Sequence, residues 1–411
     1  MDRYDCAKEL MMTPSPTEQD DLPLSGITVV SLEHAIAAPF ASRQLADLGA
    51  RVIKIERPGT GDFARAYDHR VDGLASHFVW TNRAKESLTL DLKQAAAREV
   101  LARLLQKTDV LIQNLAPGAA ARLGLSYAAL SVDHPGIIVC DISGYGEGGP
   151  YSAKKAYDLM IQSESGFLSV TGSPDAEAKA GVSIADIATG MYAYSTILAA
   201  IIQRQKTGKG RRIEISMLEA MVEWMGFPLY YAYKQQSAPL RAGAAHATIF
   251  PYGAFRTGDG YRVMLGLQNE REWGTFCAQV LQRPEMKDDP RFASNALRSE
   301  HRTELQQVIN EIFGRCTCVE IVDRLEAADI ANARVNTLDD VWQHAQLQAR
   351  ARWAMIDSPV GRLPSLLPPG ADADNPARLG PVPALGEHTE AILGELGFAA
   401  HIACFRQQGL I

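Results

Sequence analysis

The chain has 411 residues, of which 46% are hydrophobic and 22% are charged, and its formal net charge is −7. This balance is ordinary for a folded globular protein, and it excludes an overall attraction for nucleic acid or for an anionic membrane surface. Because the length exceeds that of one ordinary hydrophobic core, we expect two domains. A polyanionic ligand would need a local cluster of basic side chains.

Residues 1–21 are polar and contain prolines, without the apolar stretch of a signal peptide, so we expect a mobile leader. The six cysteines are scattered, and the close pair Cys316 and Cys318 lacks a second pair that would complete a zinc site. We therefore expect free thiols, no metal and a reducing compartment. Because polar residues follow the apolar run at 197–202, we expect no segment of membrane-spanning length. These features predict a soluble cytoplasmic protein.

Strand and helix patterns alternate through the first half of the chain. A β-branched run, a stretch with helical spacing that ends at Gly49, and a second apolar run form a βαβ unit at 27–32, 39–48 and 51–56. Further strands are predicted at 87–92, 110–114, 137–143 and 212–216, with a helix at 95–106. This alternation predicts an α/β fold with a Rossmann-like, doubly wound parallel sheet. The first helix lacks the G-x-G-x-x-G turn that is typical of dinucleotide sites.

The pattern changes after residue 225. A long apolar helix is predicted at 217–233, and two alternating runs at 252–257 and 261–265 flank a Gly-Asp-Gly turn that is typical of a hairpin. The following residues, to 328, are mainly helical in pattern. We predict a large Rossmann-like domain at 22–225, a smaller α+β domain at 226–329, and a return segment at 330–411 that completes the large domain.

Asp186 lies in a run of small residues, at the point where a strand-like stretch at 182–184 is followed by a helix-like one at 191–202. An aspartate at such a position can cap the helix by accepting its free N–H groups. A carboxylate among small residues also leaves room for a substrate and can act as a covalent nucleophile. Both interpretations stay open from these residues alone.

Polar residues follow several of the predicted strands. Asn114 ends one strand, and basic side chains follow this and neighbouring strands at Arg57, Lys93, Arg122 and Lys155. Because the carboxyl ends of parallel strands usually carry the site of such a sheet, this set suits a phosphorylated ligand. Alone, Arg57 and Lys93 are equally consistent with solvated loop charges, and Arg122 with a favourable position at a helix C-terminus.

Ordered motifs support a more specific interpretation. They lie at 26–39, 45–58, 82–87, 114–124, 142–149, 185–186, 207–210, 251–253 and 385–389. Together they resemble the family III CoA-transferases, the group that includes formyl-CoA transferase, the carnitine CoA-transferases and the α-methylacyl-CoA racemases. The resemblance covers about residues 22 to 400 and is far more specific for the superfamily than for the substrate.

The resemblance implies that Asp186 is a nucleophile, which carries CoA as an aspartyl thioester between an acyl-CoA donor and a carboxylic acid acceptor without a metal. It also implies an interlocked homodimer of ring-like subunits. The residues that it assigns to coenzyme A and to the lining of the site are His34, Ala35, Ile36, Ala37, Arg57, Leu90, Lys93, Asn114, Leu115, Ala116, Arg122, Lys155, Tyr157 and Asp158.

Departures from the family pattern narrow the range of expected substrates. The glycine-rich lid loop of formyl-CoA transferase is absent at 241–246, so oxalate and formate do not fit well. The chain is more similar to transferases of succinate and of C5 dicarboxylates such as itaconate, mesaconate or citramalate. Candidates that could bind a second carboxylate are Arg65, His69, Arg241 and His246, although surface salt bridges would explain the same residues.

Two other functions stay open. An acyl-CoA racemase or epimerase on the same fold needs two acid/base groups, but Tyr157 and Asp158 stand where racemases have a histidine beside an acidic residue, so the transferase is favoured. The third interpretation is a non-catalytic nucleotide-binding protein in which Asp186 caps a helix.

Overall fold

A computed structural model describes residues 21–411, without the side chain of Gln235. The predicted leader, apart from Asp21, and Cys6 lie outside the described residues. In chain order the strands β1 to β13 are Thr28–Leu32, Arg51–Glu56, Lys85–Thr89, Val110–Gln113, Ile138–Ser143, Gly172–Ser173, Ala176–Glu177, Arg212–Ser216, Tyr252–Arg256, Arg262–Gly266, Asn332–Arg334, Trp353–Ile356 and Leu363–Leu366.

Helices connect these strands. In chain order α1 to α18 are Ala37–Asp47, Ser76–Asn82, Ala95–Leu105, Ala119–Arg122, Tyr127–Leu130, Asp158–Glu164, Phe167–Val170, Ile184–Thr207, Met217–Trp224, Gly226–Tyr231, Glu270–Thr275, Asn295–Glu300, Arg302–Phe313, Cys318–Ala327, Leu338–Trp342, Ala345–Ala349, Thr389–Glu395 and Ile402–Gln407. Short 3₁₀ turns occupy Phe63–Ala66, Tyr233–Gln235, Pro284–Asp288 and Ala399–His401, and a π turn occupies Phe276–Val280.

The predicted parallel sheet is confirmed. It has six strands in the order β3-β2-β1-β4-β5-β8, and every neighbouring pair is parallel. The chain order reverses between β1 and β4, so their carboxyl ends open a crevice at a topological switch point. Both faces are covered by apolar helices: Val30 and Leu111 pack on one face, and Val29 and Ile112 on the other.

The edge strand β3 is covered by the motif at 385–389. His388 Nδ1 accepts the N–H of Ser87 at 3.2 Å, and the His388 N–H donates to the Ser87 carbonyl at 3.0 Å. Thr389 Oγ1 accepts the N–H of Thr89 at 3.0 Å, and Ser87 Oγ accepts the N–H of Gly386 at 2.9 Å. The motif thus satisfies backbone groups that an exposed edge would leave unpaired.

The chain forms two compact units. The first contains the described residues up to Gly166, Ala180–Gly226 and Gln346–Ile411, and it includes the parallel sheet. The second contains Phe167–Lys179 and Phe227–Ala345, with the antiparallel sheet β11-β10-β9 and a core that includes Phe255, Trp273 and Phe313. The predicted hairpin forms this sheet's β9 and β10, while 330–345 belong to the second unit rather than to the first.

The predicted helix at 217–233 is wrong in one respect, because it breaks at Met225 into α9 and α10. Gly226 and Pro228 explain the break, since glycine weakens a helix and proline removes a backbone donor.

Helix α8 corrects another expectation. It has 24 residues with a mean hydropathy of 1.3 in its most apolar window, so by length and composition alone it could cross a membrane. In the structure, 44% of that window is buried, and α8 packs against α1, α9, β5 and β8. The same composition is expected of a helix in a protein core.

Candidate active site

Asp186 lies in the first turn of α8, three residues after Ser183, which precedes the helix and makes no side-chain capping bond. The predicted strand at 182–184 is wrong, because the helix already begins at Ile184. Asp158, from α6, supplies the cap: its Oδ1 accepts the N–H groups of Ala185 at 2.8 Å and of Asp186 at 3.3 Å. The Asp186 carboxylate therefore does not cap the helix, and it has no hydrogen-bond partner among residues 21–411.

The two carboxylates differ in their surroundings. Asp158 is held by the two N–H groups and by Gln162 Nε2, which donates to its Oδ2 at 2.6 Å. Asp186 is mostly buried, and this burial, together with the nearby charge of Asp158, raises its pKa from 3.8 to about 7. Asp186 can therefore change its charge near neutral pH, as a reactive carboxyl group would.

The turn between β1 and α1 carries the residues His34 to Ala37. The His34 N–H donates to Asn114 Oδ1 at 2.9 Å, and Asn114 Nδ2 donates to the His34 carbonyl at 2.9 Å. This reciprocal pair joins the carboxyl ends of β1 and β4 at the switch point. Burial lowers the pKa of His34, and its ring stacks on Phe63 with centroids 5.4 Å apart. Among the described residues, His34 Nδ1 is buried and has no partner.

A buried ion cluster lies beneath this turn and consists of Glu33, Lys54, Asp62 and Lys85, none of them more than 2% exposed. Lys85 Nζ donates to Glu33 at 2.7 Å, and Lys54 Nζ donates to Asp62 at 2.7 Å and to Glu33 at 3.5 Å. Although burial raises the pKa of Glu33, Lys85 and Lys54 together hold it below the usual range. Glu33 and Lys54 are therefore ionised, because the pKa of Lys54 is raised, whereas burial lowers the pKa of Lys85 to about 7.

Gly190 brings α8 close to α1. A Cβ at this position would lie 2.8 Å from the Ala37 carbonyl oxygen and 2.8 Å from Phe40 Cδ1. Asp186 is four residues earlier on α8 and so lies on the same helix face as Gly190. This close approach places the Asp186 face of α8 against the start of α1.

We expect Gly190→Ala to destabilise the protein by about 1 to 3 kcal/mol, because the added methyl group meets a backbone oxygen that cannot move freely. Urea denaturation measures the change. Gly394→Ala in α17 is the matched control, since a Cβ there meets nothing within 4 Å. An alanine at 190 that is as well tolerated as one at 394 would contradict the close packing of α1 and α8.

Exposed basic side chains follow the sheet strands on the same side as Asn114. Arg57 follows β2, Lys93 follows β3 and Arg122 lies in α4 after β4; in the described part of the chain none of the three forms an ion pair. Arg57 lies close enough to His34 and to Asp91 to affect the pKa of each. Three unpaired cations at neighbouring strand ends suit an anionic ligand.

The other predicted lining residues vary in exposure. Leu90 is buried in the core, whereas Leu115 and Ala116 continue the β4 turn and the N–H of Leu115 donates to Gln113 Oε1 at 2.8 Å. Lys155 and Tyr157 are exposed on the segment that leads into α6. Buried Ile36 immediately precedes α1.

Comparison with known proteins decides which family these features represent. Residues 24–389 match the family described as CoA-transferase family III. This chain belongs to the family III CoA-transferases. It is 34% identical to the succinate–glutarate CoA-transferase of Agrobacterium fabrum, over 94% of this chain and 98% of that protein. It is 33% identical to the human succinyl-CoA:glutarate CoA-transferase, over 91% of this chain and 86% of that one.

A solved structure agrees with this assignment. The structure of a CAIB/BAIF family protein from Brucella suis is 34% identical, with a TM-score of 0.81, and the match covers 91% of this chain and 99% of that one. The predicted family and the predicted enzyme class are thus confirmed: the protein is an enzyme that transfers CoA from an acyl-CoA to a carboxylic acid. The racemase alternative is not favoured.

Two of the candidates for a second carboxylate lie in the first unit of this CoA-transferase. Arg65 makes a bidentate pair with Glu56, with both distances 2.8 Å, and its guanidinium stacks on Phe78 at 3.7 Å. These contacts occupy the side chain, so a structural role explains Arg65. His69 is exposed, and its Nδ1 lies 3.3 Å from the Gly73 carbonyl oxygen.

The other two candidates lie in the second unit. Arg241 donates to the carbonyl oxygens of Ser173 at 3.0 Å and Pro174 at 3.1 Å. His246 Nδ1 accepts the N–H of Ile249 at 3.1 Å, and its ring stacks on Tyr252. Each contact stabilises a local turn, and a role toward substrate stays a prediction.

The sequence analysis missed Asp62, Tyr67 and the buried lysines. Lys54 and Lys85 lie in strands, where a lone charge in a short run resembles an exposed position. The turn Gly59-Thr60-Gly61 before Asp62 was a usable signal, because an aspartate after such a turn often caps the next helical residues.

Proposed function

We propose that this CoA-transferase exchanges CoA between dicarboxylic acids of four and five carbons, such as succinate and glutarate or other C5 dicarboxylates, and that Asp186 is its covalent nucleophile. The observation that carries the proposal is the Asp186 carboxylate itself, which is mostly buried, free of hydrogen bonds within residues 21–411 and shifted in pKa to about 7. The substrates are inferred from the names of the bacterial and human relatives.

The chemistry proceeds in two matched halves. An Asp186 oxygen attacks the thioester carbon of the acyl-CoA, and the C–S bond breaks. CoA departs as a thiolate, and Asp186 now carries the acyl group as a mixed anhydride. The thiolate attacks the Asp186 carbonyl carbon, which releases the donor acid and forms the aspartyl-CoA thioester. An acceptor carboxylate then attacks this thioester, which releases the thiolate and forms a second mixed anhydride. The thiolate attacks the acceptor carbonyl carbon of this anhydride, which yields the new acyl-CoA and restores the Asp186 carboxylate. No net proton or electron is exchanged.

Elements around Asp186 support these steps. The start of α1 has no side-chain cap, so its N–H groups are available to stabilise a tetrahedral oxyanion. Arg57, Lys93 and Arg122 would bind the phosphates of CoA at the carboxyl ends of β2 to β4. His34 to Ala37, Asn114 to Ala116, Lys155 and Tyr157 would line the path of the thioester.

We also propose that the active enzyme is a homodimer in a reducing compartment such as the cytoplasm. Large apolar side chains are exposed on the first unit at Leu159, Met160 and Trp224, and on the second unit at Phe227 and Tyr230. A partner subunit would cover such surface. The cysteines in the described residues are free thiols, which suits a reducing compartment.

Hydroxylamine trapping tests the nucleophile. Incubation with succinyl-CoA and hydroxylamine should convert Asp186 to its hydroxamate, which peptide mass spectrometry locates as a single modified residue. Asp158→Ala is an informative companion, because it should still form the adduct at Asp186, although more slowly. Trapping at another residue, or none during active turnover, would exclude Asp186 as the nucleophile. Exchange of the substrate α-hydrogen with deuterated solvent, without an acceptor acid, would instead support the racemase.

A further inference from the structure

Asp62 connects two loops of the site. Its Oδ1 accepts the N–H of Ala35 at 3.2 Å and the N–H of Ala64 at 2.9 Å. Ala35 belongs to the turn after β1, and Ala64 belongs to the 3₁₀ turn that carries Phe63. Because Asp62 is 1% exposed, water does not compete for these hydrogen bonds.

The Ala35 end of this link is strained. Ala35 has a φ of +62°, a left-handed conformation that costs a residue with a side chain on the order of 1 kcal/mol. The conformation therefore depends on the hydrogen bonds that hold it: Asp62 accepts the Ala35 N–H, and Asn114 binds the backbone of the preceding His34. Without an acceptor at position 62, the turn would relax toward an ordinary backbone conformation.

The other end of the link carries exposed aromatic rings toward the nucleophile. Phe63 stacks on His34 and lies 5.7 Å, between ring centroids, from Tyr67. Tyr67 lies close enough to Asp186 that the carboxylate contributes, after burial and Asp62, to raising the pKa of the phenol to about 12. The turn at Phe63 to Tyr67 thus lies near the Asp186 carboxylate, and the Ala35 turn leads into the start of α1, which packs on α8 at Gly190.

The buried ion cluster fixes Asp62 itself. Lys54 Nζ binds Asp62 Oδ2, and the N–H of Asp62 donates to Glu56 Oε1 at 3.0 Å. Lys54 and Glu56 both belong to β2. Strand β2 of the sheet thus holds Asp62 in place, and through Asp62 it fixes the position of the Ala35 turn.

We propose that Asp62 is a positioning residue for CoA transfer, which holds the turn at His34 to Ala37 and the turn at Phe63 to Tyr67 in the arrangement that presents the thioester to Asp186. The inference rests on the proposed role of Asp186. Asp62 touches neither substrate nor nucleophile, so its loss slows formation of the covalent thioester while leaving the affinity for CoA unchanged.

Two double variants separate this role from a structural one. Asp62→Leu with Lys54→Met removes both charges and the acceptor, whereas Asp62→Asn with Lys54→Met removes the charges but keeps an acceptor of the same shape. Leucine leaves the N–H groups of Ala35 and Ala64 unpaired, and asparagine leaves its own amide group unpaired, so the two should have similar stability. Their difference in rate then reports the hydrogen bonds to the turns.

The measurement is the rate of the first half-reaction, followed by mass spectrometry of the Asp186 thioester well below both unfolding midpoints. We expect the asparagine variant to react within about threefold of the native enzyme and the leucine variant about 30- to 100-fold more slowly, as misplacement by about 1 Å would cause. The Kd for CoA, from calorimetry, should be the same in both. Adding Ala35→Gly to the leucine variant should raise the rate of its first half-reaction by about three- to tenfold, since glycine accepts a positive φ.

Equal rates in the two double variants would overturn the inference. If the leucine variant does not fold, amide hydrogen exchange of the native enzyme decides, because the Ala35 amide should be protected by at least about 100-fold and free exchange would exclude the bond. If the native enzyme forms no Asp186 adduct, both this inference and the proposed function are wrong. If the native enzyme forms the adduct and the two double variants react at equal rates, only the proposed role of Asp62 is wrong.

Discussion

An Asp186→Asn variant is expected to lose CoA transfer by at least about 10³-fold, because an amide oxygen cannot form the anhydride or carry CoA as a thioester. Neither the trapped hydroxamate nor the covalent thioester should form, while CoA still binds. Calorimetry with CoA and single-turnover mass spectrometry with succinyl-CoA measure the two effects separately. Retention of more than a tenth of the native rate would contradict a nucleophilic role.

The same variant should be more stable than the native enzyme, by a margin that grows as the pH rises from 3.8 to about 7. The pKa of Asp186 is raised from 3.8 to about 7, so between these values the folded protein binds a proton that the unfolded chain releases. This contribution to stability is fully present below pH 3.8 and is lost progressively as the pH rises to about 7, above which a carboxylate is left without hydrogen bonds from residues 21–411. Asparagine avoids that charge.

We therefore expect the gain in unfolding free energy caused by Asp186→Asn to be larger at pH 8 than at pH 5, by on the order of 1 to 3 kcal/mol. Thermal unfolding at the two pH values measures this difference. Asp133→Asn, at an exposed position, is the control and should change neither value. The first half-reaction of the native enzyme should rise with pH and level off above about 7, because it requires the ionised carboxylate.

Lys85→Met is expected to destabilise the protein by about 3 to 5 kcal/mol, since it leaves one side of a buried ion pair. Lys85 Nζ donates to Glu33 at 2.7 Å, to the Pro39 carbonyl at 3.0 Å and to Asn82 Oδ1 at 3.0 Å. Three acceptors match the three hydrogens of an ammonium group, and methionine satisfies none of them. Glu33 would retain Lys54, at 3.5 Å, and Ser42.

Urea denaturation measures this loss, and two further variants interpret it. Adding Glu33→Gln to Lys85→Met should recover part of the stability, because the uncompensated charge is gone. Glu99→Gln removes the partner of Arg103 in an exposed pair and should change stability by less than about 0.5 kcal/mol. A loss below about 1 kcal/mol for Lys85→Met would mean that the cluster is hydrated and that Glu33 is not held by Lys85.

Local sequence patterns predicted the sheet well. The strands β2 and β8 begin and end where the apolar runs predict, and α3 ends one residue early. The strand β3 differs, since it begins at Lys85 rather than at Ser87. Its first two residues are charged, and they pair with Glu33 and Arg51, which lie far away in the sequence. A local pattern cannot show that a charge has such a partner.

The candidate site could be predicted only in part, because several of its contacts also join residues that lie far apart in the sequence. Small residues around Asp186 and polar residues at strand ends are local signals, and they indicated the region. The cap on α8 comes from Asp158, 27 positions before Ala185, and the Ala35 turn is bound by Asp62, 27 positions after it. Arg65 illustrates the same limit: its type suits a carboxylate of the substrate, and only the fold shows that it pairs with Glu56.

The cover over β3 has a consequence for synthesis on the ribosome. The edge at Ser87 and Thr89 is satisfied by residues about 300 positions later, and the N–H of Asp91 donates to the carbonyl of Leu410. The β3 edge of the first unit therefore stays uncovered until residues 386–389 have emerged, whereas all residues of the second unit have been synthesised by Ala345. For that interval the nascent sheet exposes an open edge and long-range contacts form late, which is the stage at which such a chain is most prone to aggregate.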